Sequence, residues 1–236
     1  MLAVAVTLAV GCAPAAGAAT GPVVVIDPGH DARENLATEP IGPASATRKI
    51  KDGGGTSGIV TGTREADLVL AVSTRLRDLL RSAGVPVVMT RTRTDGPSMG
   101  NVARARIANR AGAALFLRVH ADGHPSGSVR GTHTLTPALR RGWTDDVYVP
   151  SRRAASLVQV ELVRALGFPD RGVAERSDFT GFNWADVPVI LVELGFMTNP
   201  TEDLLLRRSA VRDRAALGLC RGVLRFVGLA PDRCRV

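Results

Sequence analysis

Residues 23–30 read Val-Val-Val-Ile-Asp-Pro-Gly-His, and the rest of the chain is read outward from them. Four consecutive apolar β-formers predict a strand buried on both faces, of the kind found in parallel sheets covered by helices. Pro28-Gly29 stops the strand and delivers His30 to the loop at its carboxyl end. In open α/β sheets that edge is where ligands collect. A single histidine there is either a satisfied loop residue or a ligand, and only partners elsewhere in the chain can decide.

Downstream, the apolar spacing of Leu68, Val72, Leu76, Leu79 and Ala83 predicts a helix from Arg64, ended by Gly84. Val85–Thr90 is the next strand, Asn101–Ala111 a second helix, and Ala113–Val119 an apolar strand that ends at His120. Gly131–Thr136 reads as a short strand. Ser151 is expected to cap a helix with Ala155, Val158, Leu162 and Leu166 inward, closed by Gly167. Val189–Leu194 is the last core strand; Asn199-Pro200-Thr201-Glu202 opens another helix, and a final one spans about Ser209–Val227. Residues 31–52, 137–149 and 168–188 lack periodicity and predict loops. The glycine run 53–58 lacks a closing Gly-Lys-Ser/Thr, which argues against a phosphate-cradling nucleotide site. Strands alternating with helices predict an α/β fold: a single domain over residues 21–230, its mixed or mostly parallel sheet sandwiched by helices. Residues 231–236 form a tail.

The chain has 236 residues, enough for one sizeable core, and a formal net charge of +8 that favours an anionic partner. Nucleic acid fits poorly. Lys49 and Lys51 are the only lysines, the arginines are spread along helical faces, and aromatics are too few for stacking platforms. The charge reads mainly as a solvated surface with some attraction to a membrane surface or an acidic wall polymer. Residues 1–20 have the outline of an export signal, too short for a stable membrane span, with Cys12 as an alternative lipid-attachment point. Export would permit a Cys220–Cys234 disulfide, the alternative being two reduced thiols. A secreted, periplasmic or wall-associated monomer is expected.

Two strands thus end in histidine, His30 and His120, and two glutamates stand near strand or helix ends. Glu65 lies in a helix's first turn, where the dipole alone accounts for a carboxylate. Glu193 sits inside Val-Ile-Leu-Val-Glu-Leu-Gly-Phe, where an acid is costly without a charged neighbour; the neighbour is either a catalytic centre or an arginine. Two imidazoles and one carboxylate are the protein ligands a catalytic zinc takes, leaving a position for water, and a second carboxylate is then needed to move that water's proton.

Four blocks in this order resemble the zinc-dependent N-acetylmuramoyl-L-alanine amidases of the type 3 amidase family. They are Val-Ile-Asp-Pro-Gly-His at 25–30, Gly-Thr-Arg-Glu-Ala-Asp-Leu at 62–68, Arg106–Asn109 with Ala114–Asp122, and Val187–Pro200. The resemblance spans about Val23–Phe226. It implies a zinc-peptidase-like α/β sandwich in which His30, Glu65 and His120 hold Zn2+ and Glu193 is the catalytic base and acid. It implies peptidoglycan or muropeptide fragments as substrate, cut between the N-acetylmuramic acid lactyl group and L-alanine.

Arg171 is a candidate substrate contact or an ordinary surface arginine. Residues 31–52 are an insertion relative to the family pattern, shaping the groove or lying passively on the surface. His124 is a candidate for touching the site, and His133 reads as a strand residue facing solvent or a neighbour. Trp143, Tyr148 and Trp184 either stack on sugars or pack. A zinc peptidase on the same scaffold, or a non-catalytic wall-binding module, are the rival readings.

Overall fold

The computed structural model describes residues 21–235, so the export-signal segment and Cys12 lie outside the described residues. Val23–His30 yields β1 (Val24–Pro28), every residue of which is buried. Around it the chain lays down β2 (Asn35–Pro40), β3 (Arg48–Asp52), α1 (Glu65–Ser82), β4 (Val87–Met89), α2 (Asn101–Arg110) and β5 (Leu115–Asp122). Then come β6 (Thr132–Pro137), α3 (Tyr148–Leu166), β7 (Asp170–Arg176), α4 (Thr180–Asn183), β8 (Val189–Phe196), α5 (Pro200–Leu206) and α6 (Ser209–Phe226). The main sheet has the order β4-β1-β5-β8-β6-β7. All neighbouring strands in it run parallel except β6 against β8.

The pleat divides the apolar residues between two cores. Val24, Ile26, Leu115, Leu117, Val119, Ile190, Val192 and Leu194 point to α1, α3 and α6. Val25, Phe116, Val189 and Leu191 point to α2 and α4. Each fully buried branched side chain contributes about 1.5–3 kcal/mol, so these strands are held by both faces. Parity then assigns Asp27, His120 and Glu193 to the second face, beyond the point where the apolar cover of α2 and α4 ends.

Three expectations are corrected. Residues 31–52 contain an antiparallel hairpin, β2–β3, whose strands are largely exposed and so carry no apolar alternation. Residues 168–188 contain β7, an exposed edge strand paired only to β6, and the short α4. Ser151 is not a cap. The helix begins at Tyr148, and the buried Ser151 hydroxyl accepts from the Val189 N–H (2.9 Å), fastening α3 to β8. Gly167 does close α3, with φ +70°.

Cys220 in α6 and Cys234 in the tail form a disulfide. Closing a loop of this length restricts the unfolded chain by about 3 kcal/mol. No helix among the described residues is long and apolar enough to cross a membrane.

Not all the arginines are solvated. Asp27, fully buried at the end of β1, accepts from Arg104 Nη1 (2.6 Å), Arg118 Nε (2.8 Å) and Thr90 Oγ1 (2.6 Å). Burial alone would raise its pKa, but the two guanidiniums hold the carboxyl far below the usual range. Asp27→Ala would strand two buried cations, and urea unfolding is expected to register a loss of about 3–5 kcal/mol. A loss under about 1 kcal/mol would show that this cluster does not clamp β1, α2 and β5 together.

Candidate metal centre and active site

The first strand's punctuation sets the site. Beyond Pro28 the chain turns through Gly29 into His30, which sits at φ +55° in the left-handed region that non-glycine residues rarely adopt. Buried arginines hold that turn by its carbonyls: Arg91 donates to Pro28 and Gly29, and Arg104 to Pro28 and His30. A Cβ at Gly29 would collide with the His120 ring, so only glycine lets β1's end lie against β5's. The His30 and His120 ring centroids are 4.9 Å apart, edge to face.

Glu65 opens α1 and is buried. Its Oε2 accepts from the Thr56 N–H (2.9 Å) and its Oε1 from the Ala121 N–H (3.2 Å). The same Oε1 lies 3.0 Å from His120 Nδ1 and 3.4 Å from His30 Nε2. One ligand atom from each of His30, Glu65 and His120 falls within 4.8 Å of the others, a donor set able to hold a metal ion. Gly55, with φ +74°, leaves room for this convergence, since a Cβ there would stand 2.8 Å from both Glu65 Oε2 and the His30 ring.

The charges are unequal. Burial opposes protonation of His30, but hydrogen bonds to Asp52 and Glu65 outweigh it and raise its pKa to about 9. His120, more deeply enclosed, is pushed down to about 4 by burial despite Glu65. Burial would raise Glu65, yet the two imidazoles hold its carboxyl far below the usual range.

Glu193 lies beside this group. It pairs in register with His120 across β5–β8, so both side chains leave the same face. Its Oε2 is buried with no hydrogen-bond partner, and no ion pair within 4.0 Å reaches its carboxylate among the described residues. The arginine-paired alternative is therefore not what forms. Burial, then the Glu65 and Asp122 carboxylates, raise its pKa well above the usual carboxylate range. His30, Glu65, His120 and Glu193 line a cleft of about 520 Å³ with Thr56, Asp122, His124 and Thr198.

Sequence reasoning missed Asp52. This residue ends β3 in the insertion and is buried, and its Oδ1 lies 2.6 Å from His30 Nδ1. Its Oδ2 accepts from the Asp31 N–H (3.0 Å). The only local signal was an acid directly before the glycine run. The β2–β3 hairpin is fastened to the segment before β8. Trp184 Nε1 donates to Pro40 O (2.9 Å), Asn183 Nδ2 to Ile41 O (3.0 Å), and Lys49 pairs with Asp178 (2.7 Å).

Other candidates lie where their chemistry is partly satisfied. His133 stacks on Phe196 (5.7 Å) with Nε2 3.6 Å from Asp122. Arg171 is on the exposed edge strand with its guanidinium over Phe196 (5.3 Å), outside the cleft lining. Trp143 packs under Arg140, and Tyr148 donates to Glu175.

A family model described as N-acetylmuramoyl-L-alanine amidase matches residues 24–225. The chain is 34% identical to N-acetylmuramoyl-L-alanine amidase Rv3717 of Mycobacterium tuberculosis, over 88% of this chain and 87% of that protein. It is 33% identical to the Bacillus subtilis protein YqiI, over 93% and 91%. Among solved structures, the N-acetylmuramyl-L-alanine amidase Ami1 of Mycobacterium smegmatis superposes with TM-score 0.79 at 28% identity, covering 90% of this chain and 99% of that one. The family model spans most of the chain and the similarity to these relatives runs over nearly the whole length of each, so the chain belongs to the N-acetylmuramoyl-L-alanine amidase family.

Proposed function

We propose that the protein hydrolyses the amide between the lactyl group of N-acetylmuramic acid and L-alanine in peptidoglycan, with zinc held by His30, Glu65 and His120 and with Glu193 as the acid–base residue. The convergence of three ligand atoms beside an unpartnered buried carboxylate carries this reading. The donor set fits the ion: ligands about 2.0–2.2 Å from a tetrahedral zinc stand about 3.4 Å apart, close to the 3.0 and 3.4 Å separations about Glu65 Oε1. When bound, zinc would supply Lewis acidity toward the scissile carbonyl and the attacking water.

The remaining chemistry belongs to side chains. Glu193, on the cleft wall beside His120, takes the proton from the attacking water at its free Oε2 and passes it to the departing alanine nitrogen. Its burial without a partner leaves Oε2 free to accept that proton and return it. Asp52 accepts from His30 Nδ1–H, which fixes the tautomer so that Nε2 faces the centre. Asp52→Ala is expected to weaken zinc about 10- to 100-fold in chelator competition; unchanged affinity would remove Asp52 from the metal's support.

Mass spectrometry of muropeptide digests, with and without a chelator, tests the function. Release of intact stem peptides, abolished by chelation and restored by zinc, is expected. Cleavage within the stem peptide would favour a peptidase, and absence of turnover by zinc-loaded protein a binding module. A wall substrate places the protein outside the cytoplasm, where the Cys220–Cys234 bond persists.

A further inference from the structure

On the other side of the hairpin from the catalytic cleft lies a second groove of about 620 Å³, and none of the four clustered groups lines it. Its walls carry Arg48 and Lys51 from β3, Arg106 and Arg110 from α2, and Trp184. Among the described residues, none of these four cations has a carboxylate within 4.0 Å. The one acid in the lining, Glu39, has both oxygens occupied: Oε1 accepts from the Asn101 N–H (2.7 Å) and Oε2 from the Val102 N–H (3.2 Å), at the start of α2. The groove therefore presents four positive groups and no free negative one.

Two details make this more than a solvated basic face. Arg106 and Arg110 stand one helical turn apart, a like-charged spacing that disfavours the helix slightly and that no carboxylate within 4.0 Å offsets among the described residues. Arg106 also lies over the Trp184 ring, its guanidinium carbon 5.6 Å from the centroid. A cation–π contact steadies the guanidinium while leaving its in-plane N–H groups free to donate. Trp184 is itself anchored through Nε1 to Pro40 O (2.9 Å), so the platform is rigid. The Cα atoms of Arg106 and Arg110 stand about 6 Å apart along the helix axis, on one wall of a groove whose other wall carries Arg48 and Lys51, so the positive groups extend along its length.

We propose that this groove is an exosite that binds an acidic saccharide polymer of the wall through its phosphates, whose oxygens the guanidinium forks match. It would hold the polymer while the zinc cleft cuts on the other side of β3. Lys51 and Met99 line both this groove and a small cavity that also touches His30 and Asp52, so the two sites share one wall. The polymer's identity rests on the amidase reading; the anion site itself does not.

The test uses the full chain and its Arg106→Ala/Arg110→Ala variant. Sedimentation with purified sacculi is measured before and after hydrofluoric acid removes phosphodiester-linked polymers, and soluble muropeptide hydrolysis is followed in parallel. The variant is expected to bind untreated sacculi about tenfold more weakly, while its hydrolysis of soluble fragments stays within about twofold. The Arg106→Lys/Arg110→Lys variant is expected to retain most of the binding. A difference between wild type and variant that is confined to untreated sacculi is the expected result; a difference that persists after hydrofluoric acid would overturn the phosphate-bearing polymer as the ligand. Equal binding by wild type and the alanine variant on both preparations, or loss of soluble-fragment hydrolysis in step with binding, would overturn the exosite. Absence of hydrolysis by wild type would overturn the amidase reading alone, because sacculus binding is read without turnover.

Discussion

Glu193→Gln is expected to cut turnover about 100- to 10,000-fold, the range that one positioned acid–base group supplies, while zinc content stays that of the wild type. The amide keeps the shape of the carboxylate but neither accepts nor returns a proton. Glu193 has no hydrogen-bond partner at Oε2 and no ion pair to lose, so the substitution leaves no neighbour stranded. Stability is therefore expected to hold or to rise slightly, because a costly buried acid is gone. That combination separates a catalytic role from a structural one. A Glu193→Gln protein with wild-type kcat and full zinc would remove the acid–base assignment, and one that lost zinc as well would move Glu193 into the metal's coordination.

The parts of the fold that could be read from the chain are those in which burial imposes a pattern. β1, β5 and β8 are covered on both faces and appear in the sequence as mostly apolar runs, and α1 and α6 as stripes. β2, β3 and β7 are held by backbone pairing with most side chains in solvent, so nothing in residue type marks them. The same contrast runs through the site. His30, His120 and Glu193 stand out because each interrupts or closes an apolar element, and Glu65 by its place in a family-like block at the start of α1, whereas Asp52 lies on an exposed hairpin whose approach to His30 is purely tertiary. Arg91, Arg104 and Arg118 were read with the solvated charge because sequence does not separate a buried arginine from an exposed one. Their burial follows from Asp27 and Asp31 and from carbonyls of the Pro28–His30 turn, which they bind.

Removing His120 acts on both the metal and the turnover, and so has the larger reach. Structural zinc is bound with roughly 10–16 kcal/mol over four ligands, about 3 kcal/mol for each, so His120→Ala is expected to weaken zinc about 100-fold or more. At ordinary free-metal concentrations, purified His120→Ala protein is expected to contain little zinc and to release no stem peptide above background. The loss is not confined to the ion. The His120 ring also occupies the space against Gly29, and its removal leaves a hole between the ends of β1 and β5. Without it, Glu65 keeps only its backbone donors and His30 in a buried pocket. Excess zinc separates the two effects. If added metal restores occupancy but not turnover, His120 also aligns the centre for Glu193, its neighbour in register on β8. If it restores both, affinity was all that His120 contributed. Full zinc content and full activity without added metal would remove His120 from the metal site.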